Sequence, residues 1–133
     1  MLYQPPFGDR ALILTSTNEL IGVAGFVPCL DFFALIPELQ VFGSEKLKTP
    51  EIGLFYAVHP DHQRRGYATE AASALIDYAF QSLKLKRLIA ATRYENVASQ
   101  GVMKKLSMKI CRNPFPEPEW LQIVGFVENV RPD

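Results

Sequence analysis

Six consecutive residues, Gln63-Arg64-Arg65-Gly66-Tyr67-Ala68, have the types and spacing to bind an anion. They stand between an apolar segment, residues 52–58, and an amphipathic one, residues 69–83. A strand, a short glycine-bearing loop and a helix start form a natural phosphate seat. The first N–H groups of a helix have no intrahelical partner, and the helix dipole adds partial positive charge there. Gly66 has no Cβ, so a phosphate can approach the backbone closely. Arg64 and Arg65 add fixed positive charge. The predicted chemistry is diphosphate binding by the main-chain amides of residues 64–69, with Thr69 closing the run. The pattern lacks the Gly-Lys-Ser/Thr of a nucleotide P-loop and the Gly-x-Gly-x-x-Gly of a dinucleotide site. The competing reading is a solvated loop with a helix-capping glycine. His59 and His62 lie in the proline-containing loop just before, without other ligand types at suitable spacing, so no metal is expected.

The rest of the chain bounds the setting. It has 133 residues, enough for one domain with a modest core, here expected to span residues 1–133. It is 48% hydrophobic and 21% charged, with 14 basic and 14 acidic side chains and no net charge. A nucleic-acid binder usually carries a basic surplus, so none is expected as a partner. No apolar run approaches the ~20 residues of a membrane span, so no membrane partner is expected either. The first residues lack the regions of a secretory signal. Cys29 and Cys111 are far apart in sequence and read as free, mostly buried thiols. A soluble cytoplasmic protein is the expectation.

The elements that must position the loop follow from periodicity. Residues 1–10, with Pro5, Pro6 and Gly8, read as an irregular lead-in. Residues 11–14 and 20–27 read as a hairpin, with Gly22 and Gly25 marking a bulge or a close backbone approach. The stretch 28–50 is punctuated by Pro28, Pro37 and Pro50, yet rich in Phe32, Phe33, Leu35, Ile36, Leu39, Val41 and Phe42. Two readings stand for it: a segment folded over the sheet, or a wall of a substrate pocket. A strand over 51–58 ends at His59-Pro60. Ala68, Ala71, Ala72, Leu75, Ile76, Ala79 and Leu83 then fall at helical spacing. A strand over 88–92 completes a βαβ unit, whose two strands should be parallel. A shorter helix over 98–106 follows, then strands at 108–111 and 120–124 within a terminal region of 108–127. The predicted class is α/β with a mixed sheet.

Several motifs in one order resemble the GNAT superfamily of N-acetyltransferases. Gln63, Gly66 and Ala68 match its Gln/Arg-x-x-Gly-x-Gly/Ala loop. The Glu51-Ile52-Gly53 start and the Asn96-Val97-Ala98-Ser99 step are similar to the branch that acetylates ribosomal-protein N-termini. The resemblance covers residues 51–106. It implies acetyl-CoA as cosubstrate and acetyl transfer to a primary amine, on a protein N-terminus or a small molecule. It implies that Tyr56, Ala57 and Val58 offer a strand edge to the pantetheine where two parallel strands splay. Asn96 would contact the cofactor arm, or simply close an Asx-turn. Glu51 would take the amine proton, or sit as a solvated strand-end charge. Ser99 would protonate the leaving thiolate, or cap its helix.

The chain departs from that pattern in three ways. A strand and two helices usually precede the hairpin, and only about ten residues do so here. This leaves open a non-catalytic acyl-CoA-binding or assembly module, and sheet surface exposed by the loss would favour a homo-oligomer such as a dimer. Ser107-Met108 stands where relatives have glycine and an aromatic, so a left-handed helix terminus would cost more. No tyrosine follows Ser107 to act as the usual acid.

Overall fold

A computed structural model describes residues 6–39 and 45–130. Its elements are β1 (Gly8–Leu14), β2 (Glu19–Asp31), β3 (Thr49–Val58), α1 (Tyr67–Gln81), β4 (Arg87–Thr92), α2 (Val97–Lys105), β5 (Lys109–Arg112) and β6 (Ile123–Glu128). The strands form one sheet in the order β1-β2-β3-β4-β6-β5. This is the expected mixed α/β fold.

The sheet is two antiparallel halves, β1-β2-β3 and β4-β6-β5, joined by a parallel β3–β4 pair. That join holds one register pair, Gly53 with Ile89. Past it the two strands carry no further pairing, so the splay implied by the family resemblance is present. α1 covers one face of the sheet. Its alanines do what the sequence predicts: Ala72 and Ala79 are fully buried, bringing the helix backbone close to Phe26, Leu54 and Leu88.

Several boundaries differ from expectation. The first strand begins at Gly8, so residues 8–10 are not a lead-in. β2 does not stop at Val27 but runs through Pro28 to Asp31, pairing Pro28 with Ile52 and Leu30 with Pro50. β1 ends its pairing at Phe26, so beyond that point β2 is an edge on one side, where proline is tolerated. Gly22 lies beside the register shift and so close to β3 that a Cβ would meet the Ala57 carbonyl at 2.2 Å. The last strand begins at Ile123, because Glu119–Leu121 forms a 3-10 turn.

Two short 3-10 turns, Phe33–Leu35 and Pro37–Leu39, follow β2. Phe33 and Ile36 are buried against Ile89, Cys111, Leu121, Val124 and Phe126. The segment is therefore folded over the sheet, with its anchors in a second core on the opposite face from α1. Val41 and Phe42, counted in the same stretch, lie outside the described residues.

Candidate functional site

Gly66 is the N-cap of α1, with φ of +81° and no side-chain cap. Arg64 also has positive φ, +64°. Alternating left-handed residues before a helix turn successive N–H groups to one side and create an anion-binding concavity. Glu70 is the first residue after this turn whose N–H finds a backbone acceptor, the Gly66 carbonyl at 2.9 Å. The N–H groups of residues 64–69 have no protein acceptor among the described residues. A Cβ on Gly66 would meet nothing within 4 Å, so the space above the loop is open.

That space continues into a cleft of about 630 Å³ between the splayed strands and the two helix starts. Of the residues expected to hold a cofactor, Tyr56, Ala57, Val58, Gln63, Arg64, Gly66, Tyr67, Ala68, Thr69 and Asn96 all line it, as does Ser99. Arg65 does not: it is exposed just outside. The cleft also takes in His62, Val97, Ala98, Gly101, Val102 and Lys105, none of them expected to hold the cofactor. The helical period on α2 carries the missed signal, since Ala98, Gly101, Val102 and Lys105 recur every three to four residues as one face.

Several polar side chains of the cleft have identifiable tasks. Gln63 Nε2 donates to the Val58 carbonyl at 2.9 Å, tying the loop back to the strand it leaves. Asn96 is the N-cap of α2: its Oδ1 accepts from the Ser99 N–H at 3.1 Å, and its Nδ2 donates to Thr92 Oγ1 at 2.9 Å. Capping thus falls to Asn96, which frees the Ser99 hydroxyl. Ser99 Oγ lies 3.0 Å from Tyr56 Oη, and that oxygen is also 3.2 Å from the Ser99 carbonyl, to which it can donate. Burial raises the Tyr56 phenol above its ordinary value, and the Ser99 hydrogen bond opposes this in part. His62 has its Nε2 4.0 Å from Glu19 Oε2, while its Nδ1 is buried with no hydrogen-bond partner among the described residues.

Glu51 is not brought into the cleft. Arg87 Nε donates to its Oε1 at 3.0 Å and the other guanidinium nitrogen contacts Oε2. The strand also separates it from Tyr56 by about 16 Å at ~3.3 Å per residue. Among the described residues no Asp or Glu lines the cleft. Among the described residues no three His, Cys, Asp or Glu side chains gather as metal ligands, and no helix is long and apolar enough to cross a membrane.

A mixed sheet opening at its one parallel join, with a helix mouth of unpaired amides beside the opening, defines an acyltransferase-type α/β fold. The chain belongs to the family of the acetyltransferase (GNAT) domain, whose sequence profile matches residues 3–109. It is 44% identical over 61 residues to YnaD, an uncharacterized N-acetyltransferase of Bacillus subtilis, covering 46% of this chain and 35% of that protein. It is 33% identical over 109 residues to YoaA, another from the same organism, covering 81% of this chain and 52% of the relative. The structure of ribosomal-protein-S5-alanine acetyltransferase from Vibrio fischeri superposes with a TM-score of 0.65 over 92% of this chain and 62% of its own. At 16% identity that likeness shows the fold alone. The chain thus spans about half or less of the length of these curated relatives.

Proposed function

We propose that this chain binds acetyl-CoA and transfers its acetyl group to a primary amine, on a protein N-terminus or a small molecule. The observation that carries the reading is the set of unpaired N–H groups over residues 64–69 at the mouth of α1. Six unpaired donors beside a left-handed glycine suit the oxygens of a diphosphate. Arg64 and Lys105 bring positive charge to the same cleft. The main chain of Tyr56 and Ala57, past the last β3–β4 pair, offers an open edge to an extended pantetheine arm. The Val58 carbonyl is already taken by Gln63.

Bound acetyl-CoA supplies an acyl group activated as a thioester. The protein supplies position and a hydroxyl. The loop fixes one end of the ligand, the strand edge aligns its arm, and Ser99 offers an O–H at the helix start. The acceptor amine must arrive neutral to attack. Because no carboxylate among the described residues lines the cleft, the alternative of a non-catalytic acyl-CoA-binding or assembly module stands as a second reading.

Thermal melting with acetyl-CoA, CoA and ATP tests the proposal. Ligands that bind the folded state raise the midpoint by mass action. A rise with both CoA species and none with ATP is expected, and Gly66→Val should remove it. Equal responses of wild type and variant would take the loop out of the binding site. Release of CoA thiol in the presence of a panel of primary amines separates the enzyme from the binding module.

A further inference from the structure

We propose that the Tyr56 hydroxyl is a positioning group for Ser99, turning the serine O–H into the cleft to hydrogen-bond the sulfur of bound CoA. The inference rests on the acetyl-CoA reading above and assigns Tyr56 a side-chain task beyond its place on the strand edge. Tyr56 leaves β3 on the same face as Leu54 and Phe26, and its ring packs against the α1-side core. Its Oη reaches across the splay to α2, touching both Ser99 Oγ at 3.0 Å and the Ser99 carbonyl at 3.2 Å. Ser99 and Tyr56 both line the cleft.

The hydrogen count decides what this contact does. Each hydroxyl has one proton to donate. If Tyr56 donates to Ser99 Oγ, the serine hydrogen is released toward the cleft. If Tyr56 donates to the Ser99 carbonyl instead, the serine hydrogen is drawn back to Tyr56 Oη and the cleft sees only lone pairs. An anion in the cleft selects the first arrangement, because it rewards a donor aimed at it. The backbone of Ser99 is fixed meanwhile by the Asn96 cap, so the choice lies in the hydroxyl rotors alone. A tyrosine beside the serine thus allows a donor to be turned toward sulfur as negative charge builds there. Among the described residues no other tyrosine hydrogen-bonds Ser99. The Tyr94 hydroxyl is tied to the carbonyls of Asn113 and Phe115.

The test is the ionisation of the thiol of CoA bound to the full chain, followed by thiolate absorbance against pH, with binding measured separately by calorimetry. A donor aimed at sulfur lowers the thiol's pKa. In wild type the bound thiol should titrate about one unit below free CoA, a tenfold gain in thiolate. Ser99→Ala should abolish that shift and Tyr56→Phe should reduce it while CoA still binds, and the double variant should lose no more than Ser99→Ala alone. Ser99→Thr, which keeps the hydroxyl, should retain the shift. Wild-type binding with an unshifted thiol overturns this inference and leaves the acetyl-CoA reading standing. A normal shift in Tyr56→Phe overturns the positioning role. A larger loss in Tyr56→Phe than in Ser99→Ala also overturns it, by making the tyrosine the direct donor. Failure of wild type to bind CoA overturns the acetyl-CoA reading itself and the inference with it.

Discussion

Both carboxylate oxygens of Glu51 are held by the Arg87 guanidinium, away from the cleft. The pair bridges the third residue of β3 and the first of β4, and the carboxylate's hydrogen bonds push the Arg87 pKa further up from its ordinary value. Glu51→Gln should therefore cost stability, about 1–2 kcal/mol for a partly exposed charge-assisted bond. Arg87→Met should cost a similar amount, and the double variant less than the sum. CoA binding should be unaffected in all three, as measured by calorimetry beside urea melts. A stable Glu51→Gln protein with lost turnover would instead restore Glu51 as a base. Cys111 poses a different residue-scale question. Burial, then the nearby Glu38 carboxylate, pushes its thiol from 9.0 up to about 12. A folded value above the unfolded one means the contribution is intact below about pH 9 and is lost as pH rises toward about 12. Cys111→Val should gain on wild type steadily over that window in denaturant melts, with little pH-dependent difference below it.

At the scale of elements, the end of α2 carries strain that can be relieved. The Ser107 N–H bonds the Lys104 carbonyl at 3.1 Å and the Met108 N–H bonds the Met103 carbonyl at 3.1 Å. This is the Schellman arrangement, which places Ser107 in the left-handed region at φ of +60°. An L-residue there costs ~1 kcal/mol. Ser107→Gly should raise stability by up to about 1 kcal/mol, seen as a higher melting midpoint with unchanged CoA affinity. The strain was legible only through the family resemblance, which puts glycine where this chain has Ser107. The βαβ unit was legible from the residues themselves, through its apolar spacing and the order of strand, helix and strand. Pro28 misled because proline reads as a stop, and only the finished register shows an open edge beside it. The Tyr56–Ser99 contact was hidden for another reason. Forty-three positions separate tyrosine from serine, and no local pattern reports a contact across that distance.

For the whole molecule the decisive feature is how weakly the two half-sheets are joined. Each half is held by continuous antiparallel ladders, but the halves meet through one parallel register pair, Gly53 with Ile89, the Glu51–Arg87 ion pair, and the segments packed across the two faces. Opening at such a join costs less than unfolding either half, so amides beside it should exchange with solvent sooner than those within the ladders. A ligand seated in the cleft touches both sides: the β3 edge at Tyr56 and Ala57, the loop of residues 64–69, and α2 at Ser99. Its binding energy then opposes separation of the halves. Hydrogen exchange by mass spectrometry should show slower exchange on adding CoA in three separate segments, the end of β3, residues 64–69 and the first turn of α2. β5 and β6, paired with each other away from the cleft, should exchange at the same rate with and without it. Protection confined to residues 64–69 would mean the ligand is held by its diphosphate alone, with no arm laid between the strands.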